Sequence, residues 1–216
     1  MTAPARLATR IWGTFTLSPE PGDGRASPGV DHYLVNDVVT VRGAGIPAVA
    51  AGWHMTRVGG PGAPYTAAAV SADGSLSFTG TTQQLQYTDG AQQAELGRIS
   101  NPGTGHGPGT VAVLIPITKS EAWWALPLEA RAAPFRAPAQ GGAHTAIGSA
   151  FADRIFRRLY HARFLPGASW DFLTYFEMRP EHVPAFRQLL AQLRDPALNP
   201  EWSYVDREVE IWTVRA

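Results

Sequence analysis

Six histidines, a tryptophan pair, a single lysine and a group of arginines are the side chains of this sequence with chemistry to offer. The histidines are His32, His54, His106, His144, His161 and His182, and none stands in an HExxH or another close metal-ligand pair. Read singly, each is a structural or solvated residue; His106 lies in a Gly/Pro loop and His182 near a helix start. Trp123 and Trp124 are adjacent. On a helix such neighbours point about 100° apart, so one ring can fill the core while the other meets a ligand or partner subunit, or both can pack. Lys119 is the only lysine among 18 basic residues and lies four positions before Trp123. Arg154, Arg157 and Arg158 precede Leu159, Tyr160 and His161. On a solvated face they are unremarkable; in an apolar pocket an arginine becomes a fixed cation for a small anion. No GxSxG, Walker loop or GxGxxG occurs, and the glycines of 103–109 precede a strand, so they build no phosphate cradle.

Composition narrows the chemistry further. The chain has 216 residues, 44% of them hydrophobic, enough for one large or two small domains with a real core. Eighteen basic residues balance 18 acidic ones, which gives no electrostatic case for nucleic acid or an anionic membrane surface. The lack of cysteine excludes disulfides, thiolate catalysis, iron–sulfur clusters and cysteine-ligated zinc. Met1 to Leu17 carries no secretory pattern, and no stretch reaches the roughly 18 apolar residues of a membrane span. A soluble, cytoplasmic protein is expected, with any redox or metal chemistry resting on histidine, carboxylate or a bound cofactor.

The elements that must position these residues fall into two textures. Of 22 glycines, 18 precede residue 111, so the first half reads as strands with long loops and little helix. Its β-like runs are Arg10–Leu17, Asp37–Arg42, Leu76–Gly80 and Gln84–Thr88; its loops are Ser18–Gly29, Gly59–Pro64 and Asn101–Gly109. Thr110–Thr118 is a buried strand by composition. Ser120 can cap a helix running through Trp123, Trp124, Leu126 and Ala130. A helix from about His144 to Ile155, an extended Phe156–Ala162 and a strand Ser169–Met178 follow. Pro180–Leu193 is amphipathic, and Tyr204–Val214 closes as a strand. The order β–α–β–β–α–β predicts an α+β fold with a ferredoxin-like C-terminal half, 111–216, joined to a β- and loop-rich half, 1–110, as one structural unit.

Several ordered stretches together resemble the chlorite dismutase family of haem proteins. They are VLIPITKSEAWWALPLEAR (113–131), HTAIG (144–148), RRLYHARFLPGASWDFLTYFE (157–177) and EWSYVDREVEIW (201–212), with a weaker match at FTGTTQQLQYT (78–88) and AELGR (94–98). The resemblance implies a ferredoxin-like α/β barrel of the dimeric α+β type. It places the proximal ligand of haem b iron on His144 and the distal arginine on Arg157. It places the tryptophan pair on Trp123 and Trp124, and the lysine ahead of it on Lys119. The carboxylate that holds the proximal histidine falls on Glu201, a tyrosine near the haem propionates on Tyr87, and the strand threonine on Thr174. Neutral imidazole is a standard axial ligand, and its second nitrogen needs an acceptor such as Glu201. An unbroken helix would carry Arg157 about 20 Å from His144 along its axis, so the chain must leave the helix before residue 157. Departures from the family pattern are the expanded segments 18–29, 59–66 and 136–143, and Gln86 where short members commonly have arginine.

The function so implied is decomposition of chlorite, a small anionic substrate, to chloride and dioxygen by way of an oxoferryl centre, in a homodimer or higher oligomer. The alternative is a related haem protein with another activity, peroxidase-like or handling haem or nitrogen oxides. Arg157 argues against the coproheme decarboxylase branch, which typically lacks that arginine. A third possibility is a haem-free barrel serving as a binding or structural module.

Overall fold

Alternation of apolar and polar residues along strands makes two faces; one fills the barrel, and the other is buried on part of the sheet. The computed structural model describes residues 11–21, 29–47, 49–60, 66–82 and 107–216. Its strands are β1 (Ile11–Ser18), β2 (Val30–Arg42), β3 (His54–Gly60), β4 (Ala69–Val70), β5 (Leu76–Thr82), β6 (Val111–Lys119), β7 (Ile155–His161), β8 (Phe172–Met178) and β9 (Val205–Arg215). All registered pairings are antiparallel, in the order β1-β3-β2-β9-β6-β8-β7-β5-β4. A further pairing of β1 with β5 closes eight of these strands into a barrel, with β4 flanking β5.

One face of the strands fills the barrel interior with Phe15, Leu17, Tyr33, Met55, Leu114, Tyr160, Leu173, Tyr175 and Ile211. Gly13 and Gly80 on neighbouring strands admit the Tyr160 ring; a Cβ on either would come within 2.4 Å and 2.6 Å of that side chain. The opposite face of β6, β8 and β9 forms a second core with Phe151, Phe186, Leu189 and Leu190. The helices are short: α1 (Glu121–Ala125), α2 (Leu128–Ala132) and α3 (Ala143–Ser149), then α4 (Val183–Leu193), whose buried stripe is Phe186, Leu189 and Leu190.

Several expected elements are shifted. The single helix expected after Ser120 breaks at Leu126–Pro127 into α1 and α2, because Pro127 cannot donate to the ladder. The helix begun near His144 ends at Ser149 rather than Ile155, and turns carry the chain into β7. Asp37–Arg42 is the end of the longer β2, and β8 starts at Phe172 rather than Ser169. Strand β3 was not expected. The run Gln84–Thr88, with Tyr87 and Gln86, lies outside the described residues, as do 94–98 and His106. No helix among the described residues is long and apolar enough to cross a membrane.

Candidate functional site

Five side chains far apart in sequence meet between α3 and the outer face of the sheet. Two short 3-10 turns, Ala133–Phe135 and Pro138–Gln140, lead into α3. Gly141 ends the second turn at φ 81°, a left-handed conformation that glycine adopts without steric cost. Gly142 then passes so close to Arg136 that a Cβ would lie 1.9 Å from its carbonyl oxygen. The segment 136–143 is thus the device that sets where α3 begins.

His144 is the second residue of α3, and its ring lies 4.7 Å from that of Phe135. Its Nδ1 donates to Glu201 Oε2 at 2.7 Å. Glu201 sits in the 3-10 turn Pro200–Tyr204 and is buried. Its other oxygen, Oε1, accepts from Lys119 Nζ in a close ion pair, and Lys119 Nζ also donates to the Glu201 carbonyl at 3.3 Å. Burial alone would push the Glu201 carboxyl up; the charges and hydrogen bonds of His144 and Lys119 hold it well below the usual carboxylate range. Burial pushes His144 down, toward neutral imidazole, against the pull of Glu201. An ionised carboxylate only accepts, so the network assigns the proton to Nδ1 and leaves a lone pair on Nε2. That Nε2 is buried without a hydrogen-bond partner.

Arg157 is the third residue of β7, opposite Phe176 of β8. Its Nη1 lies 3.8 Å from where a Cβ on Gly148 would stand. Gly148 is one helical turn beyond His144 on the same face of α3, so the guanidinium and the imidazole look into one cleft. The cleft is lined by Ile115, Ile117, Thr174 and Phe176 among others, with a cavity volume of about 60 Å³. Arg157 is exposed over more than a third of its surface; neighbouring protein lowers its pKa, opposed by Glu201, and it keeps its charge, as arginines do. Thr174 is buried on β8 between Leu159 and Ile115. A second cleft lies on the far side of Glu201, lined by Trp123, Ala143 and Tyr204 among others; Glu201 is the wall between the two.

The tryptophan pair divides as adjacent positions must. Trp123 is buried, 5.5 Å from the Tyr204 ring, with the Lys119 ammonium 4.8 Å from its centroid. Trp124 is half-buried, stacked on Phe172 and covered by the Arg163 guanidinium at 4.2 Å. His161 shares Arg157's face of β7 by alternation and packs on Phe172, and burial lowers its pKa. His182 is half-buried rather than on the surface.

The structure therefore brings His144, Glu201, Lys119, Arg157 and Thr174 to one cleft and sets Trp123 behind it; Tyr87 lies outside the described residues. Sequence reasoning missed Asp171, Phe135 and Gly148. The only sign of Asp171 is a carboxylate held between Trp170 and Phe172. The described residues gather no group of three or more histidine and carboxylate side chains about a point. A single imidazole nitrogen, buried and unpartnered, suits a metal whose other ligands come from an organic ring, and haem meets that description.

No family model matches the chain, and no curated protein matches it. Among solved structures, it is similar to the dimeric chlorite dismutase of Nitrobacter winogradskyi, with 30% identity and a TM-score of 0.68 over 94% of this chain and 99% of that one. It is also similar to chlorite dismutase from Candidatus Nitrospira defluvii in complex with imidazole, with 21% identity and a TM-score of 0.63 over 95% of this chain and 91% of that one. A mutant of the latter enzyme gives 17% identity and a TM-score of 0.61 over the same shares.

Proposed function

Because this chain belongs to the chlorite dismutase family, we propose that it is a haem b enzyme converting chlorite to chloride and dioxygen. The observation that carries this reading is His144, with Nδ1 locked to Glu201 and Nε2 buried and free. Haem, when bound, supplies an iron able to exchange oxygen atoms with an oxyanion. His144 holds it through Nε2. Glu201, fixed by Lys119, keeps the Nδ1 proton polarised and the ring electron-rich. The net reaction, one chlorite giving one chloride and one dioxygen, consumes no proton and no outside electron. The site therefore has to hold and orient an anion rather than supply an acid. Arg157, always charged, would bind the chlorite anion beside the group that His144 holds. The strand order β9-β6-β8-β7 with its two helical crossovers is read as the ferredoxin-like half. A homodimer is the assembly proposed for this chain, in keeping with the dimeric Nitrobacter winogradskyi protein.

An oxygen electrode tests the reading on haem-loaded protein. Dioxygen release on adding chlorite is expected. Arg157→Ala removes a charge-assisted hydrogen-bond donor, worth about 1.5–3 kcal/mol, so release should slow about 10- to 100-fold. His144→Ala should lose haem. Normal haem content and full activity in His144→Ala would sink the assignment, and haem uptake without dioxygen would move the activity elsewhere in haem chemistry.

A further inference from the structure

Asp171 stands just before β8 and is buried, yet every oxygen it carries is used. Its Oδ2 accepts from the backbone N–H of Lys119 at 2.7 Å and from Trp124 Nε1 at 3.2 Å. Its Oδ1 accepts from Arg163 Nη1 at 3.0 Å. Its own N–H donates to Ile117 O at 3.0 Å, and its carbonyl accepts from Ala162 N at 2.9 Å and Arg163 N at 3.2 Å. The β6–β8 ladder ends at the pair Ile117 and Phe172. The β6–β9 ladder slips register between Thr118 and Lys119. Lys119 therefore sits past the slip, still opposite Val205 of β9 but beyond the end of the β8 ladder, and a side-chain carboxylate takes its N–H. Slips of this kind re-aim a side chain. Here the side chain is the ammonium that holds Glu201.

We propose that Asp171 is a positioning residue for the histidine site: by fixing the Lys119 backbone it fixes the Lys119–Glu201–His144 chain, and with it the strength of the Nδ1–H bond behind the iron. The proposal rests on the haem reading above. Asp171 touches neither the cleft nor the imidazole; it acts through Lys119. The same oxygen also holds Trp124, whose ring lies between Phe172 and the Arg163 guanidinium. Arg163 bridges on to exposed Glu121 at 3.3 Å. A line of contacts thus runs from the protein surface through one carboxylate to the ligand histidine.

Resonance Raman spectroscopy of the ferrous, haem-loaded protein reads the iron–His144 stretch, whose frequency rises as the Nδ1–H bond strengthens. Glu201→Gln sets the scale of its loss. Asp171→Ala should lower the frequency by at least half that scale. Asp171→Asn keeps an acceptor for Lys119 but not the charge, and should lower it by less. A merely structural aspartate would lower the melting temperature and leave the frequency at its wild-type value, and that result overturns the proposal. Where the alanine variant does not fold, the asparagine variant decides alone, an unshifted frequency again overturning it. Should the chain take up no haem, the functional reading fails by itself. Nitrogen-15 NMR of the histidine tautomers in the chain as purified then tests the positioning role. Movement of the His144 proton from Nδ1 toward Nε2 in Asp171→Ala supports it, and an unchanged tautomer overturns it.

Discussion

Glu201 is the residue on which the site turns, because it is buried and answers two partners at once. Its depressed pKa has a definite sign. The stability it contributes is present above the ordinary carboxylate range and is lost only as pH falls toward its lowered folded value, in strong acid. Removing one partner leaves a buried charge undercompensated. Lys119→Met should therefore destabilise the fold by about 3–5 kcal/mol at pH 7, measured by urea unfolding, and should lift the pH at which acid unfolds the protein. His144, Lys119, Glu201 and Arg157 were each legible in the sequence because they stand inside recognisable ordered stretches. Their mutual hydrogen bonds were not, since partners 57 and 82 residues apart are joined only by the fold. Asp171 stands in such a stretch too, yet its role was not legible; a carboxylate at a strand entrance looks solvated until its three donors are seen.

At the scale of elements, the site depends on where short helices start and stop. Gly142 fixes the start of α3 by passing against the Arg136 carbonyl. Gly142→Ala should force that contact apart, costing about 1–3 kcal/mol as overpacking does and weakening haem retention, read by calorimetry and haem titration. Ser120 caps α1, its Oγ accepting from Trp123 N at 3.3 Å. Ser120→Ala should cost about 1 kcal/mol with haem retention unchanged, which makes it a control for helix loss alone. The early end of α3 escaped the sequence because residues 150–155 have helix-compatible composition; the need for Arg157 to reach the facing sheet argued for a break, but not for its place. Strand β3 escaped because its interior positions include Arg57, a charged residue where alternation demands an apolar one.

Arg57 belongs to a polar knot that governs the whole molecule. It is buried inside the barrel, donates to Asp31 Oδ2 at 2.7 Å and lies 4.7 Å over the Tyr175 ring. Tyr175 and Tyr33 share a 2.7 Å hydrogen bond, and Arg215 bonds Asp31 and approaches Glu177 at 3.6 Å. Burial pushes the Glu177 carboxyl from 4.5 up to about 7, against the pull of Arg57 and Arg215. A raised acid favours the fold while protonated, so stability falls as pH climbs from 4.5 through about 7. At about 1.4 kcal/mol per pKa unit, the loss is on the order of 3–4 kcal/mol. Glu177→Gln should flatten that slope and raise stability at pH 8 by up to that amount, seen in urea melts across pH; an unchanged slope would remove Glu177 as its source.

Closure of the barrel rests on β1, which pairs with β3 on one side and β5 on the other. A ring of strands offers other molecules no row of idle N–H and C=O groups. Peel β1 away and two such rows appear together, on β3 and β5, each matched to a strand of the same kind. One short segment near the beginning of the chain thereby guards against templated, edge-to-edge polymerisation: while it stays in register the β3 and β5 edges are filled, and once it leaves, each copy becomes a mould for the next.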